Sequence, residues 1–590
     1  MNFNKNHNYN FLISGQLAVL AGVIWLILIY FFHQERLYGD SAIYLFQLIN
    51  DKCFTIAHGR PISVVMQVIP YIQMQLMVSV KFIIAAFSFN EWLYYFLCAL
   101  FMIYIMKDGM SALGMFFALF LGCRWNFFNP VSELYLASPF VFILYSLLEK
   151  TKISYWLMVT GCIIVTIMVY SHPFYSILLP VVLLLSYFFN RPLGDRKIYF
   201  IYIYSFLIIV FHFLFGFDDY EQQSMLTTQK TVSEELNRIF NFGYAKYFSI
   251  MIPVYLGSIA LFVWTVIVLW RRKLKQALFV FILFCIGVQA MILFKYGSYF
   301  PDRFEPFERY FFLIPIIISL VFFKHVFNPS KRLVTIAVIS ILGYHSYLIY
   351  SYGLKVKSRY RNLELAISYA QQFPEQKMAF RYSNYYIKDL GHYWTLVTES
   401  TLISSGSNSH SMRQIFLFDG LDEVNKAAIY VQDYYFYLPW WVMSTKNLNR
   451  DYFSMENGKV REANTDAVQR YYKKAYFDNL FIQTEGLKKF KAGSEAMIPV
   501  FITNNNDIPL RSGNNLERIA LSYQWYRNGQ FYERGHIKSP IMADVYTTLA
   551  QDILIKMPKE KGDYFLKAEL VINDNIHIQL PSKGAWFTIY

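Results

Sequence analysis

The chain has 590 residues, of which 56% are hydrophobic and only 16% are charged, and its formal net charge at pH 7 is +14. About a quarter of the residues of a soluble globular protein are charged, so this composition excludes a purely soluble enzyme, a disordered chain and a collagen-like chain. Residues 1–352 hold 25 Lys and Arg against 16 Asp and Glu, whereas residues 353–590 hold 29 against 24. The first part is therefore predicted to be a membrane region and the second a soluble region.

The basic residues lie in short clusters between apolar segments, not in one patch or tail. A nucleic-acid partner is therefore not expected. All five cysteines lie in residues 1–352, and none has the spacing of a zinc site, so residues 353–590 have no disulfide framework.

Apolar segments of about 18 residues predict membrane-spanning helices. Twelve candidates, several of them shorter, follow one another: 12–32, 61–87, 92–106, 112–123, 134–148, 153–170, 174–189, 198–215, 248–270, 277–294, 310–323 and 333–350. No small-residue cleavage site follows the first segment, so it is interpreted as an anchor and not as a signal peptide.

The basic clusters predict the orientation of these segments, because Lys and Arg favour cytoplasmic loops. The clusters are Lys150/Lys152, Arg191/Arg196/Lys197, Arg271/Arg272/Lys273/Lys275 and Lys324/Lys331/Arg332. The N-terminus is then inside and everything after residue 350 outside, which requires an odd number of spans. We expect eleven or thirteen, with one boundary in residues 61–123 misplaced. The absence of disulfides and of a cleaved signal favours a bacterial inner membrane with a periplasmic C-terminal region.

The first outward loop covers residues 33–60, and its centre, residues 41–49, has the helical spacing of a short interfacial helix. Asp40 follows Gly39 at the expected N-cap of this helix. Asp is a favoured N-cap residue, so capping alone is one explanation of Asp40.

The segment Tyr38-Gly39-Asp40-Ser41-Ala42-Ile43-Tyr44, placed directly after the first span, resembles the first outward loop of GT-C glycosyltransferases. The resemblance implies an integral membrane enzyme that takes a sugar from a polyprenyl-phosphate carrier at the lipid surface. It also implies Asp40 as the base that accepts a proton from the attacking hydroxyl in an inverting transfer. Many members of the family have paired acids here, whereas Asp40 is followed by Ser41. A cation or a divalent metal ion would stabilise the departing phosphate.

Other outward segments hold further candidate residues. His58 and Arg60 end the first loop, and the Arg60 guanidinium is suited to binding a phosphate, with interfacial snorkelling as the alternative. Glu133 is a candidate second carboxylate, or an acid at the start of a helix. His172 lies between two spans as a candidate phosphate or metal ligand, although a loop histidine is more often structural.

The last outward loop, residues 295–309, mixes charged and aromatic residues. In the family that the chain resembles, a late outward loop helps to hold the lipid-linked donor. Arg303 and Arg309 are therefore candidates for binding the donor phosphate, and Tyr299 for stacking on a sugar. The alternative is an aromatic belt with paired surface charges.

Residues 353–475 predict a small α/β domain, with a helix at 361–372 and strands at 377–382, 395–397 and 414–419. Residues 476–590 predict a β-sandwich with strands at 496–503, 519–527, 530–532, 550–555, 564–572 and 585–590. Asn528-Gly529 is a strong hairpin signal, and Trp525 is expected in the core. The stretches IPVFITN, LSYQWY and GDY resemble immunoglobulin-like domains attached to bacterial glycosyltransferases and surface carbohydrate proteins.

The sequence thus predicts a polytopic α-helical membrane domain (1–352), a periplasmic α/β domain (353–475) and a periplasmic immunoglobulin-like β-sandwich (476–590). The expected activity is sugar transfer from the polyprenyl-phosphate carrier to an envelope glycan, lipid or protein acceptor at the outer face of the membrane. Two alternatives stay open. One is a transporter of lipid-linked sugars, and the other is a non-catalytic scaffold that displays the β-sandwich.

Overall fold

The computed structural model describes the chain in segments with gaps between them. These segments are 2–56, 59–190, 195–216, 244–296, 304–381, 393–406, 408–418, 423–438, 441–464, 479–486, 488–505, 517–542, 548–572 and 582–590, with the short pieces 390, 468, 513–514, 545, 576–578 and 580. By internal contacts the chain forms two compact units. One holds Met1–Gly353, Trp394–Met412 and Asp433–Glu456, and the other holds Leu354–Tyr393, Arg413–Gln432 and Asn457–Tyr590. The division into three domains stays a prediction.

The helices are numbered here in chain order. They are α1 Asn2–Phe32, α2 Asp40–Asp51, α3 Val68–Gln75, α4 Val80–Leu100, α5 Gly109–Gly122, α6 Glu133–Leu136, α7 Ser138–Leu148, α8 Tyr155–Ser171, α9 Pro173–Asn190, α10 Arg196–Phe215, α11 Tyr244–Arg271, α12 Lys275–Tyr296, α13 Phe304–Phe311, α14 Leu313–Val321, α15 Arg332–Ala370, α16 Tyr393–Ser404 and α17 Glu423–Ala428. Short 3₁₀ turns, such as Pro61–Gln67 and Asn126–Phe128, connect some of them.

The described residues contain eight helices that are long and apolar enough to cross a membrane, and three shorter apolar helices, Gly109–Gly122, Glu133–Leu148 and Tyr155–Ser171. The expected number of eleven or thirteen membrane spans stays a prediction. Many large apolar side chains on these helices are exposed, as Phe206 (66%) and Leu207 (58%) on α10 illustrate. Exposed apolar surface of this extent is unfavourable in contact with water.

The expected spans at 61–87 and 92–106 are wrong as drawn. Residues 61–75 form a 3₁₀ turn and the short α3, and the chain turns at 76–79 before α4 begins at Val80. A single helical stretch, Val80–Ile105, then replaces the end of the first expected span and the whole of the second. Met77, at the turn, has a positive φ of 56°, which an α-helix does not allow.

One end of the helical unit carries a buried charge cluster. The ammonium of Lys324 lies 2.5 Å from the carboxylate of Asp108, which precedes α5, and also contacts Glu149, which follows α7. The guanidinium of Arg272, which follows α11, donates to the backbone oxygen of His325. These contacts bring three of the four segments with basic clusters to one end of the unit.

The fourth segment joins the same end through the loop before α8. Lys197, in the first turn of α10, donates to the backbone oxygen of Ile153 at 2.8 Å, and the N–H of Ile153 donates to Asp195 at 2.8 Å. In the same region Lys150 donates to the backbone oxygen of Met106 at 3.0 Å. The described members of all four basic clusters therefore lie at one end of the helices.

The short helix α2 is confirmed, but most of it is buried. Its Phe46 ring stacks on Tyr435 with centroids 4.9 Å apart and contacts Phe453 at 5.0 Å. Asn449 donates from its backbone to Asn50 at 3.0 Å and from its side chain to Ile49. A segment far along the chain thus covers α2, which helical periodicity alone did not predict.

The second unit begins with the last turns of α15 and a three-stranded sheet. Its strands β1 Lys377–Phe380, β2 Gln414–Leu417 and β5 Val460–Glu462 pair in parallel in the order β2-β1-β5. The strands expected at 377–382 and 414–419 are confirmed, whereas the strand expected at 395–397 is wrong, because these residues lie in α16. The hairpin β3 Tyr434–Leu438 and β4 Trp441–Ser444 belongs to the first unit.

The C-terminal region is rich in β structure, as expected. Its strands are β6 Leu480–Thr484, β7 Lys488–Phe490, β8 Glu495–Asn504, β9 Gly513–Asn514, β10 Glu517–Arg527, β11 Gln530–Arg534, β12 Ser539–Pro540, β13 Thr548–Lys556, β14 Gly562–Ile572, β15 Ile576–Ile578, β16 Ser582–Lys583 and β17 Ala585–Ile589. One sheet runs in the order β13-β8-β6-β16 and the other follows β11-β10-β14-β17-β7. Both sheets contribute to one core, with Val500, Trp525 and Leu566 among its buried members. This shared core gives a two-layer sandwich.

The hairpin expected at Asn528-Gly529 is confirmed. Both residues have positive φ, 51° and 79°, and Arg527 pairs with Gln530 across the turn. Positive φ at both central positions defines a type I′ turn, whose twist matches that of the flanking strands. Trp525, which is 1% exposed, lies in the core as predicted.

Candidate functional site

The candidate site is built around the start of α2. Gly39 is the N-cap of this helix, and Asp40 is its first residue, so the expected N-cap position of Asp40 is wrong. Gly39 has a φ of +67°, which glycine adopts without steric strain. The carboxylate of Asp40 therefore lies in the first helical turn, where the helix dipole favours a negative charge.

Asp40 pairs with Arg309, a candidate from the last outward loop. Their carboxylate oxygen and guanidinium nitrogen are 3.6 Å apart. Both side chains are partly exposed, 36% for Asp40 and 27% for Arg309. A molecule that approaches this end of the helices can therefore reach both an oxygen acceptor and a forked cationic donor.

One turn after Asp40, Tyr44 connects α2 to the second candidate carboxylate. Its hydroxyl donates to Glu133 Oε1 at 3.0 Å, and the side chain is buried. Burial, and then the carboxylates of Glu133 and Asp40, raise the pKa of Tyr44 well above 10. Tyr44 is therefore a neutral phenol that donates to Glu133 throughout the physiological pH range.

Glu133 also pairs with Arg60, a candidate from the first outward loop. The closest nitrogen and oxygen are 3.7 Å apart, and the side chains are only 9% (Arg60) and 12% (Glu133) exposed. Interfacial snorkelling of Arg60 is therefore wrong. Glu133 does begin a helix, α6, as the alternative interpretation predicts, but its carboxylate faces Tyr44 and Arg60.

His172 lies at the edge of this group. Its ring is buried, stacks on Phe174 with centroids 5.1 Å apart, and lies 6.3 Å from the ring of Tyr310. Its backbone oxygen accepts the N–H of Tyr175 at 2.9 Å, in the first turn of α9. His172 thus packs beside the residue that follows Arg309. The other three candidates, His58, Tyr299 and Arg303, lie outside the described residues.

Two site residues were missed from the sequence. Tyr44 lies four residues after Asp40 on the same helical face, and this spacing was the signal that pointed to it. Asn129 accepts the hydroxyl of Ser41 at 3.0 Å and is 1% exposed. No sequence signal identifies Asn129, because its partner Ser41 lies 88 positions away.

The site therefore consists of an accessible pair, Asp40 and Arg309, and a buried pair, Glu133 and Arg60, with Tyr44 between them. The accessible pair can accept a proton and bind an anion. The buried pair holds α2 in place, because Tyr44 donates to Glu133.

The sequence leaves a divalent metal ion open as the group that stabilises the departing phosphate. Among the residues that the structure describes, no group of three His, Cys, Asp or Glu is placed to hold a metal ion. Each of the two candidate carboxylates also faces a guanidinium. The described residues therefore do not fit a metal site built from protein ligands alone.

No family model and no curated protein matches the chain. Two solved structures of the CARDB domain of PF1109 from Pyrococcus furiosus are similar to part of it, one a solution NMR structure and one a crystal structure in complex with di-metal ions. They are 16% and 15% identical, cover 19% of this chain and 94% and 90% of their own chains, and have a TM-score of 0.12. Similarity at this TM-score carries no argument about function.

Proposed function

We propose that the chain is an integral membrane glycosyltransferase of the GT-C type. It moves a sugar from a polyprenyl-phosphate carrier to an envelope glycan, lipid or protein acceptor. The observation that carries this proposal is the accessible pair of Asp40 and Arg309, 3.6 Å apart. Tyr44, on the same helix as Asp40, connects this helix to the buried pair of Glu133 and Arg60.

The chemistry needs two groups side by side. In an inverting transfer the acceptor oxygen attacks the anomeric carbon, its proton passes to a carboxylate, and the carrier phosphate leaves with the bonding electron pair. Asp40 is the base, because it is more exposed than Glu133 and can reach an acceptor hydroxyl. Arg309 binds the departing phosphate oxygens and neutralises their charge.

The placement of the site supports a membrane setting. The helices α6 and α7 follow one another directly and form one apolar helical stretch, Glu133–Leu148. Glu133, in the site, and Glu149, in the charge cluster of Lys324, lie at its opposite ends. Sixteen residues of helix span about 24 Å. Basic loops favour the cytoplasm, so the Asp40 end faces the outer side of a bacterial inner membrane. There the carrier lipid presents its phosphate at the headgroup level.

The C-terminal sandwich completes the proposal. With the outward orientation, it lies in the periplasm as an immunoglobulin-like domain attached to the enzyme. Its two-layer core supports this fold type, and the resemblance of the sequence to such domains supports the assignment. Sandwiches of this kind bind or pack against partners, and the envelope acceptor is the partner that fits the proposed reaction.

The test compares wild type with Asp40→Asn in membranes, following the transfer of radiolabelled sugar from a pool of polyprenyl-phosphate sugars. Removal of a general base costs about 10²- to 10⁴-fold in rate, so Asp40→Asn is expected to lose that factor. Asp51→Asn is the matched control, because Asp51 is an exposed acid at the other end of the same helix. Arg309→Met is expected to weaken donor binding.

The outcomes separate the alternatives. Wild-type transfer that persists in Asp40→Asn keeps the enzyme and removes Asp40 as the base, with Glu133→Gln as the next variant. Movement of labelled carrier across the membrane without transfer favours the transporter. A chain that neither transfers nor moves any tested donor, and in which Asp40→Asn changes nothing, favours the scaffold.

A further inference from the structure

Glu308, directly before Arg309, is a buried carboxylate to which the proposed reaction gives no role. It is 0% exposed. Its Oε1 accepts three consecutive backbone N–H groups, those of Arg124, Trp125 and Asn126, at 2.5, 2.6 and 2.9 Å. Successive backbone N–H groups that point at one oxygen form a concave anion-binding nest. The last outward segment is thereby fixed to the loop after α5.

The loop that Glu308 binds packs against the entrance to α2. The ring of Trp125 meets Tyr38 edge-on at 4.9 Å, two residues before Asp40. Further along the same loop, Asn129 accepts the hydroxyl of Ser41, the residue after Asp40. The side chains of Tyr38 and Ser41, on either side of Asp40, therefore contact the loop that Glu308 binds.

On its other side, Glu308 is covalently followed by Arg309, whose guanidinium lies 3.6 Å from Asp40. One carboxylate therefore connects both partners of the accessible pair. Burial of a carboxylate is costly, and the second oxygen of Glu308 has no hydrogen-bond partner among the described residues. The three N–H groups at its first oxygen are the hydrogen bonds that offset this cost.

We propose that Glu308 is the positioning residue of the site: its nest sets the separation between the Arg309 guanidinium and the Asp40 carboxylate. Arg309 and the loop around Trp125 move together because Glu308 holds them. This role deepens the proposed function, since it concerns the same pair, and it rests on that function only where sugar transfer is concerned.

The experiment measures how fast 4-hydroxyphenylglyoxal modifies Arg309 in the full-length protein, with mass spectrometry as the readout. Pairing with Asp40 slows this reaction, so Asp40→Asn sets the rate of an Arg309 that has lost this carboxylate. Glu308→Ala is expected to raise the rate several-fold, towards that of Asp40→Asn. Glu308→Gln is expected to stay near wild type, because its amide oxygen still accepts the three N–H groups.

Two controls separate positioning from general damage. Tyr135→Phe removes a hydroxyl that donates to the backbone oxygens of Gly122 and Glu308 but leaves the nest in place. It is expected to leave Arg309 labelling unchanged. Labelling of Arg60, in the buried pair, is expected to stay slow in every Glu308 variant.

The proposal is overturned if Arg309 in folded Glu308→Ala reacts at the wild-type rate, or if Arg60 becomes reactive to the same extent. Where Glu308→Ala does not fold, Glu308→Asp gives the same test, because a carboxylate one methylene shorter must displace Arg309 or lose the nest. A wild-type rate in that variant also overturns the proposal. Arginine labelling needs no sugar donor, so the failure of sugar transfer in Asp40→Asn experiments bears on the proposed function alone.

Discussion

At the scale of single residues, the site depends on which charges are buried. The Asp40 and Arg309 side chains are partly exposed, whereas those of Arg60 and Glu133 are almost completely buried. Exposed ion pairs contribute little to stability, whereas removal of one partner of a buried pair costs about 3–5 kcal/mol. Substitutions in the accessible pair are therefore expected to lower activity with little effect on stability, whereas substitutions in the buried pair are expected to lower stability.

The first prediction concerns Glu133. Glu133→Ala deprives the buried Arg60 of its carboxylate and Tyr44 of its acceptor, and is expected to lower the free energy of unfolding by about 3 kcal/mol. Asp40→Asn is expected to change it by under about 1 kcal/mol, since its pair is exposed. Thermal unfolding of the detergent-purified variants measures both. Equal losses of stability in the two variants would contradict the division into an accessible and a buried pair.

The second prediction concerns pH and Tyr44. The raised pKa of Tyr44 in the fold means that the unfolded chain loses this proton first, at about pH 10. The stability that Tyr44 adds is therefore fully present below pH 10 and declines as the pH rises beyond it. The stability difference between wild type and Tyr44→Phe is expected to be constant from pH 7 to pH 9 and to shrink above pH 10. A stability difference that grows above pH 10 would contradict a raised pKa of Tyr44 in the fold.

At the scale of elements, a buried charge cluster joins the ends of several helices. The charge cluster of Lys324 with Asp108 and Glu149 joins the start of α5, the end of α7 and the turn Phe322–Val326 that follows α14. These three side chains are 10–20% exposed, so each depends on the others for neutralisation.

The third prediction follows from this cluster. Lys324→Met leaves two buried carboxylates beside each other without their cation, and is expected to lower stability by about 3–5 kcal/mol. Lys331→Met, at an exposed position seven residues further on, is the control and is expected to change stability by under about 0.5 kcal/mol. Thermal unfolding compares the two variants. A Lys324→Met protein as stable as the control would show that the cluster holds no helices together.

The fourth prediction concerns the hairpin between β10 and β11. Gly529→Ala forces a residue with a Cβ to a φ of +79° and is expected to cost about 1 kcal/mol, whereas Gly529→Asn is expected to recover part of that loss. Near-ultraviolet circular dichroism, recorded during unfolding of wild type and the two variants, measures their order of stability. Equal stability of the Ala variant and wild type would argue against the type I′ turn.

At the scale of the whole molecule, the opposed ends of the helices define an orientation that labelling can test. Of the five cysteines, Cys53 is exposed, and the other four are buried or half-buried. Cys53 follows α2 and lies seven residues before Arg60, which pairs with Glu133 in the candidate site. Lys152 is exposed at the opposite end, in the loop beside Asp195.

The fifth prediction uses these two positions. A membrane-impermeant maleimide is expected to label Cys53 in cells whose outer membrane has been opened. Lys152→Cys in a Cys53→Ser background is expected to react only after the inner membrane is permeabilised. Labelling of Lys152→Cys in intact spheroplasts would reverse the orientation and place the Asp40 site in the cytoplasm.

The sequence by itself determined the apolar helices, the common end of the basic clusters, the hairpin at Asn528-Gly529 and the core position of Trp525. These features depend on local composition and turn geometry, which neighbouring residues set. It also singled out Asp40, Glu133, Arg60 and Arg309 as candidate residues in the segments between apolar helices. Only the tertiary structure decided which acid faces which arginine, that residues 433–456 cover α2, and that Glu308 holds the loop after α5. Each of these contacts joins residues far apart in the chain, as Tyr44 and Glu133 are at 89 positions, and helical or strand periodicity carries no information about such partners.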